Sequence, residues 1–123
     1  MSHGTFCWNE LMAHDVEQAK KFYRDTVGWT FEAMQGRDGT YWIAKQGDKS
    51  VGGIFPMKGA EFKGMSERWV SYLAVDDVDA RLKKAKAAGA KVMKEPFDIP
   101  NVGRIAFVEE PGGAMVGWMT PKP

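Results

Sequence analysis

The chain offers few side chains able to do chemistry: two histidines, one cysteine and 16 acids in 123 residues. One acid stands apart by its setting. Glu10 lies within Trp8-Asn9-Glu10-Leu11-Met12, a run of strand formers, and strand alternation puts Trp8, Glu10 and Met12 on one face. A carboxylate among apolar and aromatic side chains is driven toward its neutral form, and can then act as acid, base or hydrogen-bond anchor. The plainer alternatives are an ion pair with Arg68 or Arg104, or simple exposure at a sheet edge. His3 belongs to an N-terminal stretch expected to be loosely held. His14 sits in a strand-to-helix turn, where a solvated or capping role is expected, so the two histidines do not make a metal site. Cys7 can form neither an internal disulfide nor a Cys-based zinc site, and is expected as a small buried residue.

The elements that must position Glu10 can be read outward from it. Its strand, Thr5 to Met12, ends in the turn Ala13-His14-Asp15, and Asp15 with Gln18 three residues on forms a capping-box pattern. The helix that follows puts Ala19, Phe22, Tyr23 and Val27 on an apolar face, with Lys20, Lys21 and Arg24 elsewhere, and stops at Gly28. Three strands are expected next, near Trp29 to Met34, Thr40 to Gln46 and Ser50 to Met57, with turns at Gly36-Arg37-Asp38-Gly39 and Gly47-Asp48. The second half repeats the order: strand Arg68 to Val75, cap Asp77, helix Val78 to Ala88, stop Gly89, and strands Ala90 to Lys94, Gly103 to Glu109 and Ala114 to Thr120. Caps Asp15 and Asp77 lie 62 apart, stops Gly28 and Gly89 lie 61 apart, and Ile43-Ala44 and Ile105-Ala106 lie 62 apart. The same succession twice at one spacing argues for an internal repeat. The expected organisation is one domain, with module one at 5–57, a linker at 58–67 and module two at 68–120. Each helix covers one face of its sheet, so two such sheets side by side are expected to enclose a cleft.

Composition narrows the classes of function. Lys+Arg at 17 against Asp+Glu at 16 leaves a charge of +1, too balanced for phosphate-backbone binding, so no nucleic-acid partner is expected. No apolar run approaches the roughly 20 residues of a membrane span. No basic and then apolar leader precedes Thr5, so a cytoplasmic protein is expected. The aromatic share of 12% exceeds what one small core needs. The surplus is expected to line a slot for a flat or apolar ligand, although core or subunit contact is the commoner use of any single aromatic. The segment Glu95 to Asn101, stiffened by two prolines, is expected to be a surface loop or, less simply, a cover for the cleft.

Trp8 through Asp15 leading into Ala19-Lys20-Lys21-Phe22-Tyr23 and Val27-Gly28-Trp29, then Tyr72 through Ala80, and the closing Phe107-Val108-Glu109-Glu110-Pro111-Gly112-Gly113, resemble the vicinal oxygen chelate superfamily over almost the whole chain. That superfamily includes glyoxalase I, extradiol dioxygenases and bleomycin-resistance proteins. The resemblance implies an α+β fold in which two tandem β-α-β-β-β modules form an incomplete barrel around a central cleft. It also implies where a divalent metal would be held, by one first-strand and one last-strand residue per module. Those positions fall on Trp8 and Val70, and on Gly117 and, by the offset of 62, Phe55. None of the four side chains is a metal donor, so no metal and no cofactor are expected.

The resemblance further implies that the face carrying Trp8 and Glu10 looks into the cleft, together with Phe55, Val70, Tyr72 and Met115. The expected function is therefore metal-independent binding or sequestration of an apolar or aromatic small organic molecule, with Trp8, Glu10, Phe55, Val70, Tyr72 and Met115 in contact. The alternative implied by the same family is a glyoxalase-like or dioxygenase-like lyase, isomerase or oxygenase, with Glu10 as the catalytic acid or base and a divalent metal. A third reading is a non-catalytic module that docks a protein by its sheet edge. Small members of the family pair as homodimers, which is the expectation here.

Overall fold

The computed structural model describes residues 2–36, 39–99 and 102–122. The turn at Arg37-Asp38 and the end of the proline-containing segment, Pro100-Asn101, lie outside the described residues. The elements in chain order are β1 (Thr5–Ala13), α1 (Val16–Val27), β2 (Thr30–Gly36), β3 (Gly39–Gln46), β4 (Lys49–Pro56), a 3-10 turn (Ala60–Phe62), β5 (Arg68–Ala74), α2 (Val78–Ala87), β6 (Lys91–Ile99), β7 (Gly103–Glu109) and β8 (Met115–Pro121). This is an α+β fold with the order β-α-β-β-β twice. It divides into two compact units, one of residues 9–69 and one of residues 1–8 with 70–123, so the chain changes unit within β1 and within β5.

In the 9–69 unit the strands run in the order β2-β3-β4-β1, with β1 parallel to β4 and the other pairs antiparallel. The capping expectation holds in detail. Asp15 Oδ1 accepts from the Gln18 N–H at 3.0 Å, and Gly28 ends α1 in the left-handed region at φ 78°, where a side chain would be strained. Leu11, Ala13 and Ile54 pack against Ala19, with Val16, Tyr23, Phe31 and Trp42 at the margin.

The buried stripe of α1 differs from the one expected. Phe22 and Val27 are 57% and 53% exposed, whereas Lys20 is buried, its ammonium 3.3 Å from the centre of the Trp42 ring and 3.3 Å from Glu17 Oε2. The lysine stem acts as apolar cover while the indole face and Glu17 receive its charge. Residues 58–67 are tied back by Glu67, whose Oε2 accepts from the N–H groups of His14 (2.7 Å) and Asp15 (3.0 Å).

In the other unit the order is β5-β8-β7-β6, with β5 parallel to β8. Asp77 Oδ1 caps α2 by accepting from the Ala80 N–H at 3.1 Å, and Val78, Leu82 and Ala85 are buried as expected. They meet Val75, Ala106, Val108 and Val116. His3 is held rather than loose: its Nδ1 accepts from the Asp76 N–H at 3.0 Å. The segment expected as a loop at 95–101 is strand as far as Ile99, because β6 continues past two register shifts, at Val92/Lys94 and Lys94/Phe97, to pair Ile99 with Gly103.

Those shifts change the correspondence between the two halves. The helix caps keep the offset of 62, but Glu10 opposes Gly53 while Tyr72, 62 residues after Glu10, opposes Gly117. In the last strand the offset is thus 64 (117 − 53), and β3 and β7 share it: Ile43 opposes Gly53 as Phe107 opposes Gly117. By strand register the counterpart of Gly117 is Gly53, and Phe55 lies two residues further on, opposite Met12.

Candidate functional site: a buried glutamate beside a glycine covered by tyrosine

Each sheet has one face on its helix and one turned from it. In the 9–69 unit Leu11, Ala13, Phe31, Trp42 and Ile54 take the helix side, so alternation puts Glu10, Met12, Tyr41, Ile43, Gly53 and Phe55 on the other. Glu10 is 7% exposed and Met12 6%. Exposure at a sheet edge, one of the plain readings of Glu10, is therefore excluded. Arg104, one of the partners considered for it, is occupied by Asp79 (2.7 and 3.2 Å) and Asp98 (3.1 Å).

Opposite Glu10 stands Gly53, and the space its missing side chain leaves is filled by Tyr41. An ideal Cβ on Gly53 would lie 2.5 Å from Tyr41 Cε2 and closer still to Cζ and the hydroxyl oxygen. The phenol therefore reaches across the sheet to the residue directly facing Glu10. Neighbouring strands lie about 4.8 Å apart, so a carboxyl and a phenol share one small area of this face. A carboxylate accepts and a phenol both donates and accepts, which suits a ligand carrying a hydroxyl or carbonyl. Phe55 is half-buried and packs edge-on against Phe62 of the 3-10 turn, ring centres 5.9 Å apart.

The other unit repeats the device without the acid. Val70 (2% exposed) and Tyr72 (4%) are buried on the face away from α2, and Met115 is half-buried two residues before Gly117 in β8. A Cβ on Gly117 would be 2.6 Å from Tyr72 Cδ2 and Cε2, so this ring occupies the space over the glycine. Phe107 meets it edge-on at 5.7 Å. Trp8 is half-buried in the first part of β1.

Within the 9–69 unit Glu10 and Phe55 share the face turned from α1, and within the other unit Val70, Tyr72 and Met115 share the face turned from α2. Tyr41 is the residue of this site that sequence reasoning did not single out. Its only signal was the pair Gly52-Gly53 in the middle of a strand, a mark of close approach by another group.

A divalent ion does not fit the positions the fold would give it. Two are glycines whose space is taken by tyrosine rings, and Trp8 and Val70 carry no donor suited to a cation. Among the described residues no three His, Cys, Asp or Glu stand together as a metal-binding group. His14 turns elsewhere, its Nε2 lying 2.6 Å from the Met65 carbonyl oxygen.

Most tryptophans serve the helix side. Trp29 stacks on Tyr23 at 4.6 Å, Trp69 donates its indole N–H to the Tyr23 hydroxyl at 3.0 Å, and Trp42 lies under Lys20. An open groove of about 610 Å³ at the start of α1, walled in part by His14, Glu17, Trp42 and Lys58, contains none of the expected contact residues.

Residues 6–117 match the family model of the Glyoxalase/Bleomycin resistance protein/Dioxygenase superfamily. The putative glyoxylase CFP32 of Mycobacterium bovis is 42% identical over 123 residues, covering 98% of this chain and 45% of that protein. The chain therefore spans about half the length of such relatives. Among solved structures, the hypothetical protein BH1468 from Bacillus halodurans superposes with a TM-score of 0.74 at 13% identity, covering 99% of this chain and 97% of that one. Methylmalonyl-CoA epimerase of Streptomyces coelicolor, in complex with 2-nitronate-propionyl-CoA, gives 0.68 at 18%, covering 99% and 100%. No helix among the described residues is long and apolar enough to cross a membrane.

Proposed function

Since the chain belongs to the glyoxalase/bleomycin resistance protein/dioxygenase superfamily, we propose that it is a metal-independent binder of a small, apolar or aromatic organic molecule, held by hydrogen bonds to Glu10 and Tyr41. One observation carries this reading: a buried carboxyl faces a glycine whose side-chain space holds a phenol. Phe55 supplies apolar contact on the same face. The unit that contains Trp8, Val70, Tyr72 and Met115 presents an apolar sheet face of its own. A homodimer and a cytoplasmic location complete the proposal, the first because exposed Phe22 and Trp69 offer an apolar surface that a second copy would cover.

The competing reading is a lyase, isomerase or oxygenase with Glu10 as acid or base and a divalent metal, and it draws on the name glyoxylase carried by a relative that is 42% identical. A thermal-shift screen of aromatic alcohols, ketones and acids separates the two. A bound ligand at a hundredfold excess over its Kd stabilises the folded state by about 2.7 kcal/mol, a measurable rise in Tm. The binder reading expects such a rise with chelator present, and its loss in Glu10→Gln and Tyr41→Phe. Ligand stabilisation that appears only after Zn, Ni, Mn or Fe is added, together with turnover of the ligand, would establish the enzyme reading instead.

A further inference from the structure

Within the 9–69 unit, the segment 58–67 that follows β4 is fastened in an unusual way. Its start is fixed by Met57, which is 5% exposed and whose N–H donates to the Ala13 carbonyl at 2.8 Å. From Lys58 to Glu67, by contrast, no residue is buried, and only Phe62 and Met65 are half-buried. A stretch with so little apolar burial opens at a fraction of the cost of unfolding the sheet beneath it. Its backbone turns at two glycines in the left-handed region, Gly59 at φ 107° and Gly64 at φ 83°, which bracket the 3-10 turn Ala60–Phe62. Open space surrounds the place where a Gly64 side chain would stand. Glycines at such points absorb the change of backbone angle that a hinge requires.

What holds the segment down is polar and reciprocal. Glu67 Oε2 accepts from the N–H groups of His14 at 2.7 Å and Asp15 at 3.0 Å, and the His14 ring answers by donating from Nε2 to the Met65 carbonyl at 2.6 Å. One aromatic contact joins the segment to the face of Glu10: Phe62 meets Phe55 edge-on, ring centres 5.9 Å apart. Phe55 lies two residues beyond Gly53 in β4, so it stands on the same face, roughly 7 Å along the strand from the glycine that opposes Glu10. Slight burial, a glycine on each side of the turn, a polar latch and one ring laid beside the site together make a lid.

We propose that residues 58–67 form a hinged strap over the Glu10 face. His14 and Glu67 latch it, and Phe62 lifts from Phe55 to admit an apolar or aromatic ligand and then closes on it. As a ligand cover the strap rests on the Glu10 reading; as a latched, opening segment it does not.

The test follows the Phe55 ring resonances of the full chain by NMR, with Phe62→Leu marking where they fall once the covering ring is gone. Glu67→Ala and His14→Ala, both at exposed positions, should each move the Phe55 resonances toward that mark. Trypsin should cut after Lys63 about tenfold faster in Glu67→Ala than in the native chain, since cleavage waits on opening and two charge-assisted bonds are lost. Saturating 2-naphthol should slow that cut about tenfold in the native chain and leave it unchanged in Glu10→Gln. Phe55 resonances that stay in place in both latch variants, or a cut after Lys63 that is as fast with the latch as without it, would overturn the strap. If 2-naphthol binds through Glu10 yet leaves the cut rate unchanged, the cover is overturned and the Glu10 reading stands. If 2-naphthol does not bind while the latch variants shift the Phe55 ring as expected, the result counts against the Glu10 reading and supports the strap.

Discussion

Gly53→Ala probes the Glu10–Tyr41 arrangement with one methyl group. The backbone at Gly53 is outside the left-handed region, so alanine meets no conformational strain there. Taken alone, the change would stabilise the chain by about 0.4–1 kcal/mol through the lost freedom of the unfolded state. The new methyl, however, stands 2.5 Å from Tyr41 Cε2, against the 3.5–4.0 Å or so of ordinary carbon contact, and nearer still to the hydroxyl. Tyr41 must therefore retreat by about 1 Å or more, at an overpacking cost of about 1–3 kcal/mol. The net expectation is a loss of about 1–2 kcal/mol in urea unfolding, accompanied by weaker ligand binding as the phenol leaves Glu10. The double-mutant cycle isolates the cause. In a Tyr41→Leu background the ring is gone, and Gly53→Ala should cost little or become stabilising, a coupling of at least about 1 kcal/mol. Equal cost in both backgrounds would refute the claim that Tyr41 occupies the Gly53 space.

Three further outcomes follow from other parts of the chain. Asp76 is held at a pKa of about 2 against an ordinary 3.8, chiefly by its hydrogen bond from Arg81. Its folded value lies below its unfolded one, so its contribution is present above about pH 4 and is lost as pH falls toward 2. Asp76→Asn should accordingly flatten the fall of the urea midpoint across that window, and an unchanged acid limb would contradict the pairing. Cys7, expected to be buried, is only half-buried; the partial desolvation still raises its thiol pKa, so iodoacetamide should label it at pH 8 more slowly in the native chain than in urea, and equal rates would contradict that shielding. Tyr23→Phe removes the acceptor of the Trp69 indole N–H and should cost about 0.5–1 kcal/mol in the same unfolding assay, Trp69 being 41% exposed and able to reach water. No loss at all would show that bond to be idle.

Local chemistry was legible in the sequence, and long-range register was not. Asp15 and Asp77 announced their helices because a cap is decided by a few neighbouring residues, and Val78, Leu82 and Ala85 were found by spacing alone. Lys20 was assigned to the solvent side of α1 because its charge says so, yet an indole face and Glu17 make burial of its stem favourable. Cap spacing predicts a strand offset of 62 throughout. Two bulges in β6, the second of them containing Pro96, shift it to 64 in β7 and β8 and make Gly53 rather than Phe55 the counterpart of Gly117. The face of Glu10 could be read from alternation. Its partner could not, because Tyr41 arrives from a neighbouring strand into space that exists only where a glycine falls in register.

The most direct test is the metal content of tag-free protein, measured by mass spectrometry after exposure to Zn, Ni, Mn and Fe and removal of unbound ions. With Tyr41 filling the space over Gly53 in one unit and Tyr72 the space over Gly117 in the other, the chain should retain far less than one ion, with ligand binding the same before and after chelator. One tightly held ion per chain, whose removal abolishes binding, would contradict it.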